Sequence, residues 1–150
     1  MQLMRSFTIL LLAAFPLMTV AQVPAERGQA AGGVPVLSGG IGADSQERIK
    51  AREKEFNLKL VFTLAEGSYL SGVGVTVKDA AGKTLAEHLA DGPFFLARLP
   101  DGAYDVTAVY EGRTQVRKVA VRAGQLRTEY LRWPANPQSD FVLPREGTGK

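Results

Sequence analysis

The sequence predicts a mainly β protein: an antiparallel, seven-stranded sandwich preceded by one short helix. Three observations lead to this class. Apolar and polar residues alternate along several stretches after residue 57, which is typical of strands with one buried face. Gly- and Pro-containing turns separate these stretches, and no helical pattern lies between them, which indicates an antiparallel sandwich. The 150 residues, 45% hydrophobic and 22% charged, suffice for one domain.

The first 21 residues are expected to be a secretory signal outside the fold. Arg5 precedes an apolar stretch that ends in the small-residue segment Thr19-Val20-Ala21, the order in which a charged start, an apolar core and a peptidase site occur in signal peptides. The apolar run is short for a membrane anchor, and Pro16 interrupts it. We therefore expect cleavage after Ala21 and an exported chain, periplasmic or extracellular.

Two further segments contain few large apolar side chains. Residues 22–42 are rich in Gly, Ala and Pro, which predicts a flexible spacer, although residues 38–42 are also compatible with an ordered loop. Residues 134–150 contain three prolines and two glycines and are expected to form a disordered tail.

Residues 43–56 predict the short amphipathic helix. Asp44 and Glu47 fit a capping box at its start, and Ile49 and Phe56 lie on one face among mostly charged neighbours. Because acidic and basic side chains are interleaved on the remaining surface, a solvated face is favoured over a membrane contact. We expect the narrow apolar face to pack against the sandwich.

Residues 57–133 predict the sandwich itself. Phe94 and Phe95 are consecutive strand residues, so their rings must point to opposite faces, one into the core and the other to an edge or beneath the helix. The seven expected strands are 57–64, 73–78, 84–89, 94–99, 104–110, 113–121 and 125–133.

Two motifs stand out in this segment: residues 72–83 (GVGVTVKDAAGK) contain the pattern V-x-V-x-D-x-x-G, and residues 99–106 (LPDGAYDV) contain the pattern L-P-x-G-x-Y-x-V. Both resemble motifs of the carboxypeptidase regulatory-like domain, a prealbumin-like sandwich of the transthyretin-like class. Pro100 and Gly102 suit a turn, and Tyr104 is placed to bury its ring and bond the turn backbone.

The segments on either side of the helix extend this resemblance. Gly39-Gly40-Ile41-Gly42 before it and residues 57–62 after it resemble a group of small exported bacterial proteins of unknown function. The resemblance implies the fold and says almost nothing about activity, since one fold carries many functions.

Residues that support catalysis are scarce. The chain has no Cys and one His, which excludes disulfides, thiolate nucleophiles and multi-histidine metal sites; His88 is expected to be a surface residue. Ser68, Ser71 and Ser139 lie in no Gly-x-Ser-x-Gly context. Hydroxyisourate hydrolases, the enzymes among transthyretin-like proteins, use several histidines and a C-terminal Tyr-Arg-Gly-Ser that this chain lacks. We expect no catalytic residue, no cofactor and no metal.

One region is distinctly basic although the net charge is only +3, too little to imply nucleic acid. Between residues 113 and 133, six cations accompany one acidic residue, Glu129. They suggest a surface for an anionic envelope polymer, a lipid headgroup or an acidic protein partner. Protection of strand edges is the other reading, and it is the favoured one. The six residues are Arg113, Arg117, Lys118, Arg122, Arg127 and Arg132.

These observations predict an exported, monomeric, non-catalytic module with a binding or structural role in the cell envelope. No nucleic-acid partner and no membrane span after signal cleavage are expected. Two alternatives stay open. A carboxylate-dependent hydrolase such as a glycosidase needs converging acids, for which Asp101 with Asp105 or Asp79 with Glu87 are candidates. An assembly or adaptor module needs an exposed edge strand that accepts a partner's strand.

Overall fold

The computed structural model describes residues 27–29 and 32–136. The expected signal, the first residues of the spacer and the tail beyond residue 136 lie outside the described residues. For 27–29 the backbone pairing is described and the side chains are not.

Two β-sheets enclose one hydrophobic core. Sheet A contains, in spatial order, β1 (Arg27–Gln29), β2 (Pro35–Gly39), β6 (Phe94–Ala97), β3 (Leu58–Leu64) and β9 (Arg127–Trp133). Sheet B contains, also in spatial order, β5 (Thr84–Leu89), β4 (Gly74–Asp79), β7 (Gly102–Tyr110) and β8 (Arg113–Val121). The mainly β class is confirmed.

The core forms where the predicted alternation places it. From sheet A, Leu60 and Phe62 face inward, and from sheet B, Val75 and Val77 meet them; all four are 1% exposed or less. Burial of each such side chain contributes about 1.5–3 kcal/mol, which suits a chain without disulfides. Trp133 closes the core at one end, its ring centroid 6.3 Å from that of Phe62.

The predicted total of seven strands is not confirmed. Each of the seven expected stretches forms a strand, but β1 and β2 add two more from the segment predicted to be a spacer. That prediction is wrong for Pro35–Gly39, where Val36 faces the main core and Leu37 the opposite side of the sheet. A side chain at Gly40, where φ is 102°, would lie 2.3 Å from the ring of Phe94. The glycines after β2 therefore allow close packing as well as chain freedom.

The expectation of a purely antiparallel sandwich is wrong at one pair of strands. β3 and β9 run parallel over their whole length, from Leu58 opposite Arg127 to Leu64 opposite Trp133. The other strand pairs of the described residues are antiparallel. The parallel pair leaves β9 at the edge of sheet A and β8 at the edge of sheet B.

The expected helix is present as α1 (Ala43–Arg52), followed by a 3₁₀ turn at Glu53–Glu55. The capping box is wrong, because Gly42 is the N-cap and no side chain caps the helix. Instead, Ser45 Oγ accepts the backbone N–H of Gly40 at 2.9 Å.

The apolar face of α1 packs as expected. Ile49 and Phe56 join Phe94 in a second cluster on the outer face of sheet A, whose remaining members are Leu37, Val61 and Leu96. Phe95 points the other way, into the main core. The two phenylalanines thus divide between core and helix, as strand geometry requires.

Candidate functional site

β9 is an edge strand of sheet A, and β8 is an edge strand of sheet B. These two edges lie next to each other on one side of the sandwich, here called the β8–β9 side. Side chains tie these edges together: Gln115 Nε2 donates to Arg132 O, and Trp133 Nε1 donates to Arg113 O at 3.0 Å. Arg113 donates in turn to Pro134 O. These contacts link the two sheets at one end of this side.

Two of the six predicted cations point between the sheets. Arg113 lies opposite Tyr110 and Arg117 opposite Val106, a core residue. Because residues directly opposite each other share a face of the sheet, both side chains begin on the inner face of sheet B. Arg113 is half-buried, with its guanidinium 5.5 Å from the ring centroid of Tyr110, whereas Arg117 is exposed.

The other four cations point in several directions. Arg127 lies opposite the core residue Leu58 and so faces inward at the edge. Lys118 lies on the outer face of sheet B, Arg132 lies on the outer face of sheet A, and Arg122 follows the end of β8. The six cations therefore share one side of the molecule without forming a continuous patch.

Acidic partners divide these cations further. Three of them have a carboxylate within 4 Å: Arg127 with Glu129 (2.6 Å), Lys118 with Asp105 (3.5 Å) and Arg113 with Glu111 (3.9 Å). Among the described residues, Arg117, Arg122 and Arg132 have none within that distance. All three are exposed, so their charge is available to a ligand.

The outer face of sheet A carries a second feature, beyond the reach of α1. Thr63 of β3 lies opposite Arg132 on one side and forms a bridge with Tyr69 on the other. Tyr130, two residues before Arg132, shares the same face, and its ring centroid lies 5.8 Å from the Arg132 guanidinium. Tyr69 and Tyr130 are each 56% exposed.

Thr63 is unusual within this group. The residue is 6% exposed, and its Oγ1 has no hydrogen-bond partner among the described residues. A buried hydroxyl without a partner costs about 1–3 kcal/mol. Arg132 is predictable from the sequence as one of the six cations, whereas Thr63 and Tyr69 are not, because only the bridge between them brings the two together.

A serine, a histidine and a carboxylate meet where β2 approaches β5. Ser38 Oγ lies 2.9 Å from His88 Nε2, donates to Asp91 Oδ2 at 3.3 Å and accepts the Asp91 backbone N–H at 3.2 Å. His88 is partly buried, 5.8 Å from the ring of Phe95, where a surface residue was expected.

The hydrogen bonds of this cluster are not arranged as in a catalytic triad. In a triad the carboxylate orients the histidine, which in turn activates the serine. Here the carboxylate of Asp91 contacts the serine itself, and Ser38 is 2% exposed. The arrangement joins an edge strand of sheet B to sheet A, and these three residues do not place an oriented base beside an accessible nucleophile.

Three of the four acids named for a hydrolase have structural partners, and the fourth, Glu87, is exposed. Asp79 Oδ1 accepts two backbone N–H groups of its own turn, at 3.0 and 2.9 Å. Asp101 Oδ1 accepts the backbone N–H of Ala123 at 2.7 Å, and Asp105 pairs with Lys118. Each of these carboxylates stabilises a turn or a strand pair.

The turn before β7 has the geometry expected of Pro100, Gly102 and Tyr104. The Tyr104 hydroxyl donates to Pro100 O at 2.6 Å, and the residue is 5% exposed. Burial raises the pKa of Tyr104 above its usual 10.0, and the nearby Asp79 and Asp101 carboxylates raise that pKa further.

A cleft of about 660 Å³ opens beside the 3₁₀ turn, with Lys54, Phe56, Asn57 and Arg98 in its wall. The buried polar group here is already satisfied: Asn57 Nδ2 donates to Leu99 O at 2.7 Å, and Asn57 Oδ1 accepts the Leu99 N–H at 2.9 Å. The cleft therefore differs from the Thr63 region, where a polar atom has no partner.

Within the described residues there is no group of three or more His, Asp or Glu side chains placed to hold a metal ion. No helix of the described part of the chain has the length and apolar character needed to cross a membrane. No family model matches this chain, and no curated protein matches it.

Proposed function

We propose that this chain is an exported, non-catalytic and monomeric β-sandwich module that binds an anionic polymer of the cell envelope. The observation that carries the proposal is the set of exposed cations on the β8–β9 side, Arg117, Arg122 and Arg132, with no carboxylate within 4 Å among the described residues. Such charges attract polyanions over a distance of about 10 Å at moderate salt.

Edge protection alone does not account for these cations. At one end of this side, side chains of Gln115, Arg113 and Trp133 donate to the backbone carbonyls of Arg132, Pro134 and Arg113. A strand added along that end of β9 would have to displace the bond to Arg132 O, which weighs against the assembly alternative there. The three guanidinium groups lack a carboxylate partner among the described residues and are available to an anionic ligand, although that of Arg117 also donates to Val116 O and Gln115 Oε1.

Two observations support a module without catalytic activity. The contacts of Ser38, His88 and Asp91 join the sheets and do not orient a nucleophile. The carboxylates of Asp79 and Asp101 are used in turns, which weighs against a carboxylate-dependent hydrolase.

The carboxypeptidase regulatory-like assignment for residues 57–133 is part of the same proposal. Its support is the L-P-x-G-x-Y-x-V segment, in which Tyr104 bonds Pro100 O, and the strand in each of the seven expected stretches. The helix and β2 are then additions to that module, built from the residues before it.

The binding proposal is tested with two triple variants that remove equal charge. R117Q/R122Q/R132Q removes the unpaired cations, and K54Q/K83Q/R98Q removes three cations elsewhere. Retention on immobilised polygalacturonate at increasing salt should fall at least tenfold for the first variant and less than twofold for the second. Equal losses would assign binding to net charge alone and contradict the proposed surface.

Export is tested separately by the mass of the protein recovered outside the cytoplasm. A chain that begins at Gln22 is expected. Retention of residues 1–21 on the recovered protein would contradict cleavage after Ala21.

A further inference from the structure

We propose that the outer face of sheet A carries a saccharide-binding platform formed by Tyr69, Tyr130 and Arg132 around Thr63, and that its ligand is an acidic glycan. The inference rests on the proposed function and names the class of polymer. This combination of side chains fits a ligand made of sugar rings that carry carboxylates.

The strand register places the four residues on one surface. Thr63 lies in the middle, with Tyr69 on the neighbouring segment to one side and Arg132 on β9 to the other. Neighbouring strands lie roughly 5 Å apart, so Tyr69 and the β9 residues are separated by roughly 10 Å across the sheet. Two exposed aromatic side chains thus stand on either side of the buried Thr63 on this face.

Both rings are exposed and held in position. Tyr69 packs edge-on against Phe94, with ring centroids 5.5 Å apart and planes at 71°, and Phe94 is itself part of the cluster beneath the helix. Tyr130 stands beside the Arg132 guanidinium. Tyrosine supplies a rigid apolar face with a polar tip at low entropy cost, which suits stacking on the C–H face of a sugar.

The polar groups near the rings indicate that the bound sugar is acidic. Thr63 Oγ1 is enclosed by its surroundings and has no hydrogen-bond partner among the described residues, so a sugar hydroxyl that displaces the side chains covering it would both donate to it and accept from it. Arg132 has no carboxylate within 4 Å there, and a guanidinium binds a carboxylate through two parallel hydrogen bonds. A neutral glycan would use the rings and leave Arg132 unpaired.

A glycan fits this surface better than a protein or a membrane does. A protein interface centres on a contiguous, desolvated apolar patch, whereas here a threonine separates the two rings. A membrane surface needs several clustered cations for stable binding, and this face contributes Arg132.

The test compares two polyanions, polygalacturonate and polyglutamate, and uses four variants of the full chain. Y69A/Y130A removes both rings, Y130A alone removes the ring whose contact is Arg132, and T63V removes the hydroxyl at nearly constant shape. V109A/V116A, on the outer face of sheet B, is the control because those side chains are 38% and 54% exposed.

The wild-type chain should bind polygalacturonate at least tenfold more tightly than polyglutamate. Y69A/Y130A should lose at least tenfold of its affinity for polygalacturonate and keep its affinity for polyglutamate. Y130A and T63V should each lose a few-fold, and V109A/V116A less than twofold.

Three results would overturn the platform. If the wild-type chain binds both polymers equally and the tyrosine variants do too, the platform is wrong and the anionic-polymer function stands. If the wild-type chain binds neither polymer, the proposed function fails and the platform with it. Should Y69A/Y130A fail to fold, unchanged polygalacturonate binding by Y130A and T63V overturns the platform in its place.

Discussion

The two outer faces of the sandwich differ although both sheets follow the same alternation of residues. On sheet A the outward residues Val61, Phe94 and Leu96 are buried, because α1 packs over them. On sheet B the outward residues Leu89 and Val116 are 65% and 54% exposed. The alternation of residues along a strand thus indicates which face is buried between the sheets. The hydrophobicity of the outward residues indicates whether another element covers the outer face.

The outward residues on sheet B fit an uncovered face. Thr76 and Thr107 lie opposite each other on β4 and β7, and Lys78 lies opposite Asp105 in the next outward row. Threonine favours strands because of its branched Cβ and tolerates water through its hydroxyl. On sheet A the same outward positions near the helix carry large apolar side chains, as at Phe94. The helix is therefore integral to the fold.

The largest expected effect is a difference in stability between a variant under the helix on sheet A and a variant on the outer face of sheet B. Ile49→Ala should lower the free energy of unfolding by about 2–5 kcal/mol, because Ile49 is 1% exposed in the cluster under the helix. Leu89→Ala, on the outer face of sheet B, should change it by no more than about 0.5 kcal/mol. Denaturant unfolding followed by circular dichroism measures both. Equal losses would mean that the helix does not stabilise sheet A.

A smaller effect is expected from one ion pair on each face. Lys59 and Glu53 form a bridge with side chains 16% and 26% exposed, and Lys59 Nζ lies 4.7 Å from the ring centroid of Phe94. Glu53→Gln should therefore cost about 1–2 kcal/mol. Asp105→Asn, whose partner Lys118 is 88% exposed, should cost less than about 0.5 kcal/mol.

The same unfolding measurement, repeated at 1 M salt, sharpens this second comparison. Salt should weaken the exposed pair of sheet B and leave most of the half-buried pair of sheet A. A larger loss for Asp105→Asn than for Glu53→Gln would reverse the comparison.

The smallest effect concerns the inner face of sheet B and depends on pH. Tyr104→Phe removes the bond to Pro100 O and should cost about 1 kcal/mol at neutral pH. The folded-state pKa of Tyr104 is raised above 10.0, so its contribution is fully present below pH 10. Above that pH the unfolded chain ionises first and the contribution is lost.

The stability difference between wild type and Tyr104→Phe should therefore shrink as pH rises from 9 to 11. Chemical denaturation at each pH measures it. A difference that stays constant over this range would show that burial does not perturb the Tyr104 hydroxyl.

Sequence patterns over a few neighbouring residues predicted those elements whose structure depends on such neighbours alone. The alternation at 57–64 predicted β3 to within one residue of its observed start, and the adjacency of Phe94 and Phe95 predicted their opposite faces. The spacer prediction failed at Pro35–Gly39 because two buried residues, Val36 and Leu37, lie among glycines and small residues that dominate its composition. A short apolar run becomes a strand only when a partner strand, here β6, is available to it.

The candidate site was predicted only in part, for a related reason. The cations between residues 113 and 133 were visible in the sequence, but their directions depend on what lies opposite each of them. The opposite residues are Val106 for Arg117 and Thr63 for Arg132. Pairings between distant residues follow from how the whole core closes, which no local pattern encodes.

The sequence by itself determined the mainly β class, the short helix and most strand positions, because these follow from periods of two and of about three and a half residues along the chain. Tertiary structure alone decided the parallel pairing of β3 with β9, and with it the placement of Tyr69, Thr63 and Arg132 on one face. The physical reason is that a strand presents two equivalent edges and two faces, and the packing of the complete core chooses among them.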